Sequence, residues 1–200
     1  LSCAALALVV SRAGSAAAAD SVQLPFADGQ AARVIQGYNG GTHQGRSRYA
    51  LDLVQAAGGT SGASVLSPVA GAVAWAQAPG AGTGCLAIAL RGAGYSVVLC
   101  HLMLDHAMRS GEAVGAGQVL GTVGPPGTVG NNGTAHVHLE LHRGSQGNNP
   151  VPFGGSSGLS LAGADLPASG AANEHMSRVL GAAGGESAPS APPASAAPAP

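Results

Sequence analysis

Four histidines and one aspartate carry most of the reactive chemistry of a chain with little other polarity. They are His43 in "NGGTHQGR", Asp52 in "RYALDLV", His101 in "VVLCHLM", and the pair His136 and His138 in "GTAHVHLELH". Alternate residues of a β-strand point to one face, so His136 and His138 emerge side by side while Val137, Leu139 and Leu141 fill the other. Asp52 is the only acid set inside an apolar strand pattern before residue 85. A buried carboxylate is costly unless a cation compensates it. Imidazole nitrogen and carboxylate oxygen are ordinary zinc ligands, and three of them with an open position for water form a catalytic centre. The remaining histidines could then move protons or stabilise an oxyanion. Taken singly, each signal is modest, because a lone strand histidine is more often a polar surface residue than a ligand.

The elements that must position these groups are strands. The chain has 200 residues, 33 glycines and 13 prolines, only 8% charged residues, 3% aromatics, no lysine and a net charge of −1. Such a balance lacks the basic footprint of a nucleic-acid binder. Apolar bursts separated by Gly, Pro and Asn predict strands at "ARVIQGY", "YALDLV", "GAVAWAQ", "CLAIAL", "YSVVLCHL", "QVLGTV" and "HVHLELH". No helical period is sustained from residue 21 to 153. The opening "LSCAALALVV" is too short to span a bilayer, and Ala17, Ala18 and Ala19 offer small residues for cleavage before Asp20. Residues 1–19 therefore read as the remnant of an export signal; a lipoprotein signal around Cys3 fits less well, since the apolar stretch continues past it. Past Gly154 the pattern dissolves, leaving one short helical pattern at "ANEHMSRVLGAA". Residues 156–200 read as a Gly/Ser/Ala/Pro-rich flexible linker or tail.

One hairpin can be read in register. In "CLAIAL-RGAG-YSVVLC" the turn sets Leu90 opposite Tyr95, and counting outward sets Cys85 opposite Cys100. Directly opposed cysteines can bridge, and an exported protein meets the oxidising compartment this requires. A Cys85–Cys100 disulfide is expected; the alternative is a pair of buried thiols. By parity Tyr95, Val97, Leu99 and His101 share one face and Cys100 lies on the other.

The order of these pieces resembles the lysostaphin-type (LytM-domain) zinc metallopeptidases, which cleave peptide cross-links in bacterial peptidoglycan. The resemblance rests on His43…Asp52, "YSVVLCHL" and "GTAHVHLEL", and extends through "VLSPVAGAVAWA" and "GEAVGAGQVLGTVGPPGTVGNNGTAHVHLEL", over roughly residues 30 to 153. It implies an all-β domain at 20–155, a mostly antiparallel sandwich or open barrel with a groove holding the metal. It implies one Zn²⁺ per chain on His43, Asp52 and His138, with His101 and His136 as catalytic groups. Metal-activated water would attack a scissile carbonyl, one histidine acting as base and the other assisting the oxyanion or the departing amine. Tyr38 lies where some members carry an oxyanion-stabilising tyrosine, and it fits a turn aromatic in "GYNGG" equally well. The sequence departs from the family in one respect: eight residues, rather than the usual three, separate His43 from Asp52.

The other histidines, His106, His142 and His175, read as ordinary polar residues. His142 lies four residues beyond His138, about 13 Å along the strand and too far to share its metal. Glu140, between them, reads as facing water, and Arg46 and Arg48 as solvated loop charges. The expected protein is an exported, monomeric peptidoglycan endopeptidase of the periplasm or cell wall, with no nucleic-acid partner and no stable membrane insertion after signal removal. The alternative is a non-catalytic wall-binding or hydrolase-activating module of the same fold. A biotinyl- or lipoyl-type carrier, suggested by "GEAVGAGQVLGTVG", would need a lysine that the chain lacks.

Overall fold

The computed structural model describes residues 21–28 and 30–181. The signal remnant at 1–19 and the last part of the expected tail, 182–200, lie outside the described residues. Fourteen strands appear among those described, in the order β1 Ser21–Val22, β2 Ala32–Gln36, β3 Leu51–Gln55, β4 Ser64–Leu66, β5 Gly71–Ala76, β6 Leu86–Leu90 and β7 Tyr95–Cys100. They continue with β8 Leu102–Leu104, β9 Ala113–Val114, β10 Val119–Val123, β11 Val137–Arg143, β12 Pro150–Val151, β13 Ser160–Leu161 and β14 Val179–Leu180. The larger sheet runs β14-β2-β3-β11-β7-β6-β5-β9 with β12 beside β11, and β4-β10-β8 form a second sheet. Both are antiparallel and neither closes; only the short β1–β13 pair is parallel. No helix among the described residues is long and apolar enough to cross a membrane.

All seven expected strand segments form strands, because their alternate apolar residues find one shared core. Leu139 and Leu141 of β11 stand opposite Leu99 and Val97 of β7, and Leu51 and Leu53 of β3 join them. Leu102, Leu104, Leu120 and Val123 of the smaller sheet belong to the same buried cluster. The opposite face of β11 is polar: His138 stands between Asp52 of β3 and Cys100 of β7, followed by Glu140 opposite Val98 and His142 opposite Ser96.

The β6–β7 hairpin has the expected register, and Cys85 and Cys100 are disulfide-bonded with Cα atoms 4.0 Å apart. The parity reading of the same hairpin needs correcting. The Leu99 face is the core, so Cys100 and the disulfide lie on the His138 face. His101 does not continue the alternation: its φ of 70° ends β7 and turns the side chain out of the core, into the groove that Cys100 also lines. We predict that Cys85→Ala with Cys100→Ala lowers unfolding stability by about 2–4 kcal/mol, since the bond closes a loop of intermediate length. The change should appear as a lower denaturant midpoint in the oxidised protein; an unchanged midpoint would mean that the bond contributes nothing.

Residues 156–181 are not a flexible tail. Leu159, Leu161, Leu166 and Leu180 are buried in the common core, β13 pairs with β1, and β14 adds to the edge of β2. Within "ANEHMSRVLGAA" the described residues, 172–181, form turns and the two-residue β14 instead, with Asn173, His175 and Ser177 all at positive φ. Val179 and Leu180 serve strand pairing, which overrides the local helical period.

Candidate metal centre and active site

Three expected donors converge on the polar face. His43 Nε2 and His138 Nδ1 lie 3.0 and 2.9 Å from Asp52 Oδ1, and the donor atoms of the three residues all fall within 4.8 Å of one another. His138 and Asp52 are cross-strand neighbours, so sheet register alone brings them together. His43 comes from the β2–β3 loop. The eight-residue spacing is absorbed there by a 3-10 turn at Gly45–Ser47 and by the hydrogen bond from Asn39 N–H to the Arg48 carbonyl.

The outer nitrogens fix which ring atoms of this cluster carry lone pairs. His43 Nδ1–H donates to the Gly37 carbonyl at 2.8 Å, so in a neutral ring Nε2 carries a lone pair. His138 Nε2–H donates to Glu140 Oε1 at 2.7 Å, which leaves its Nδ1 as the lone-pair atom. Two imidazole lone pairs thus face one carboxylate oxygen, an arrangement that repels unless protons or a cation sit between them. Burial disfavours the His138 cation, yet its hydrogen bonds to Asp52 and Glu140 outweigh burial and raise the pKa to about 9. Burial likewise pushes Asp52 up, but the same histidines prevail and hold its carboxyl well below the usual range. A divalent cation would take over the compensation, and the His, His, Asp donor set fits zinc.

His101 and His136 stand at the same groove, their rings 4.6 Å apart. His101 Nδ1–H donates to the Val129 carbonyl at 2.8 Å and His136 Nδ1–H to the Thr134 carbonyl at 2.7 Å. In both neutral rings the basic atom is therefore Nε2. Burial pulls the His101 pKa below the ordinary histidine value, against the opposing pull of the Val129 carbonyl. His101 is also fixed by its backbone, with N–H donating to Thr83 O and its carbonyl accepting from Gly124 N. A left-handed conformation at a side chain of this size is tolerated only where neighbours fix it. The groove, about 390 Å³, is lined by Gln36, Thr42, Ser47, Thr83, Asn131 and Asn132 besides the reactive groups.

Several expected roles fall differently. Tyr38 does not line the groove: it is fully buried, its hydroxyl accepts from Phe153 N–H, and burial raises its pKa. Glu140 does not face water; it is buried and bonds both His138 and His142. His142 is buried too and touches Glu140, so it lies outside the ligand set, as its distance along the strand requires. The two-residue period that paired His136 with His138 applies equally to Glu140 and His142, but their burial depends on the loops covering the face. His106 pairs with Glu112 at the surface, His175 packs edge-on against Tyr38, and Arg48 lies over the Tyr49 ring.

The segment after β13 supports His43 from behind, and nothing in the sequence pattern indicated it. Asn173 Oδ1 accepts from Gly37 N–H at 2.8 Å, and Tyr38 and Glu174 exchange backbone hydrogen bonds. A Cβ on Gly37 would run into the Glu174 carbonyl, which explains glycine there. The carbonyl of this same Gly37 orients His43.

Residues 49–150, just over half of the chain, match Peptidase family M23, and the chain belongs to that family. The matched segment contains Asp52, His101, His136 and His138, whereas His43 lies just before it. Among solved structures the chain is similar to pseudoalterin, an M23 metalloprotease from the deep sea, at 19% identity and a TM-score of 0.50, covering 66% of this chain and 75% of that one. It is also similar to a mutant catalytic domain of the prophage-encoded M23 protein EnpA from Enterococcus faecalis, at 22% identity and a TM-score of 0.48, covering 66% of this chain and 94% of that one. A chain of the SpoIIIAH–SpoIIQ complex matches at 18% identity and a TM-score of 0.49, covering 66% of this chain and 96% of that one. At 19% identity the likeness to pseudoalterin is one of fold alone. No curated protein matches the sequence.

Proposed function

We propose that this M23 member is an active zinc endopeptidase that hydrolyses peptide cross-links of bacterial peptidoglycan, with one zinc per chain on His43, Asp52 and His138. The observation that carries this reading is the pairing of two histidine sets at one groove. One set aims its bare nitrogens at Asp52, and the other presents basic Nε2 atoms beside it. A zinc ion bound there supplies Lewis acidity, polarising a carbonyl and acidifying water. His101, kept neutral by burial, accepts the proton lost by the attacking water. His136, whose Nε2 lies 3.5 Å from Asp52 Oδ2, serves the oxyanion or the departing amine. Glu140 holds the His138 ring in its ligating tautomer, as carboxylates behind metal-bound imidazoles do.

Export to the periplasm or cell wall is supported by the disulfide, which needs an oxidising compartment. The folded unit then runs from 21 to 181, after a cleaved signal remnant at 1–19 and before a tail at 182–200, and it acts as a monomer. Chelation tests the reading. Treatment with EDTA should remove one zinc per chain and abolish cleavage of cross-linked wall peptides, and added zinc should restore both. Full cleavage by metal-free protein would overturn it.

A further inference from the structure

We infer that Asn131 is the positioning residue for both groove histidines; the inference rests on the catalytic reading of His101 and His136. The two rings are oriented by carbonyls of a single loop, residues 124–134, which has no regular structure of its own. Val129, two residues before Asn131, supplies the acceptor for His101 Nδ1–H, and Thr134, three residues after, supplies that for His136. What fixes this loop is the Asn131 side chain, 1% exposed. Its Oδ1 accepts from Gly127 N–H at 2.8 Å, while Nδ2–H₂ donates to the Gly124 and Pro125 carbonyls at 3.0 and 2.8 Å. Its backbone N–H donates to Thr128 O, and its carbonyl accepts from Thr134 N–H. Thr134 thus leans on Asn131 through its N–H and holds His136 through its carbonyl.

The loop needs such an anchor. Val129 has φ 41° and Asn132 φ 51°, and a β-branched residue at positive φ is a strained one. Asn131 lines the groove, yet both amide protons are committed to carbonyls, so it has none to offer a substrate. Its effect passes through the two carbonyls. Held in place, they keep each ring as the Nδ1–H tautomer with Nε2 as base; displaced, they let the Nε2–H tautomer compete, and that form cannot accept a proton there.

The test uses zinc-loaded Asn131→Ala, with Asn131→Asp as a second variant that keeps the acceptor for Gly127 and loses both donors. Imidazole ¹⁵N spectra should show the Nδ1–H signature of His101 and His136 replaced by a tautomer mixture in each variant, with His43 and His138 unchanged. Zinc stoichiometry should stay at the wild-type value, KM within about twofold, and kcat should fall about 100-fold, as small misplacements of catalytic groups do. Unchanged tautomers in Asn131→Asp would overturn the inference, as would a change confined to one histidine. A raised KM with unaltered kcat would overturn it too, making Asn131 a substrate contact. If the wild type cleaves no wall peptide, the catalytic reading fails by itself and the spectra still decide whether Asn131 orients the rings.

Discussion

On the proposed ligand set, His138→Ala should leave a folded protein that holds no zinc and cuts no substrate. His138 is central on the sheet between Asp52 and Cys100, and its Nδ1 is one of two imidazole nitrogens within 3.0 Å of Asp52 Oδ1. Removing it leaves two protein donors where a catalytic zinc needs three. The loss of affinity should exceed the roughly 10–100-fold that follows loss of an outer-shell partner. The substitution also strips the Glu140 carboxylate of one of its two histidine partners inside a buried face. The apolar side of β11 is untouched, so circular dichroism should remain native while metal analysis and activity fall together. Zinc retained at full stoichiometry would refute the ligand assignment.

His136→Ala and His101→Ala are expected to separate the two functions, keeping zinc and losing turnover. Neither ring belongs to the convergent donor group. Each contributes proton transfer or oxyanion stabilisation, so kcat should drop about 10²–10⁴-fold in each single variant. The two act as a unit, and the double variant should lose little beyond the worse single one. Acid pH adds a second signature. The neutral ring of His101 is the active form, and burial lowers its pKa, so protonation needs more acid than an ordinary histidine requires. The acid limb of kcat/KM should therefore lie below pH 6.5. It should vanish from the residual activity of His101→Ala. An acid limb at or above pH 6.5 in the wild type would contradict the assignment of His101 as base.

The sequence carried more of the site than of its support. Period-two alternation set His138 on the polar face of β11, and hairpin counting set Cys85 opposite Cys100, because strand geometry is local and repetitive. Parity failed at His101 because one residue at φ 70° breaks the alternation, and nothing in "LCHLM" announces a left-handed histidine. Glu140 reads as facing water and His142 as an ordinary polar residue, because their burial comes from loops, whose course periodicity does not encode. The family resemblance suggests a groove role for Tyr38, whereas its burial follows from contact with Phe153 and His175, far along the chain. Residues 156–181 have too few apolar positions to look folded by themselves, yet β13 pairs with β1 and β14 adds to the edge of β2.

The central claim is cleavage of wall peptides at the groove, and digestion of purified peptidoglycan by the zinc-loaded protein tests it most directly. Mass spectrometry of the released muropeptides should show cross-linked dimers converted to monomers, in a reaction blocked by EDTA, and the new termini would identify the bond. An unchanged dimer profile on several wall types, with one zinc bound per chain, would contradict the account and leave the fold a wall-binding or hydrolase-activating role.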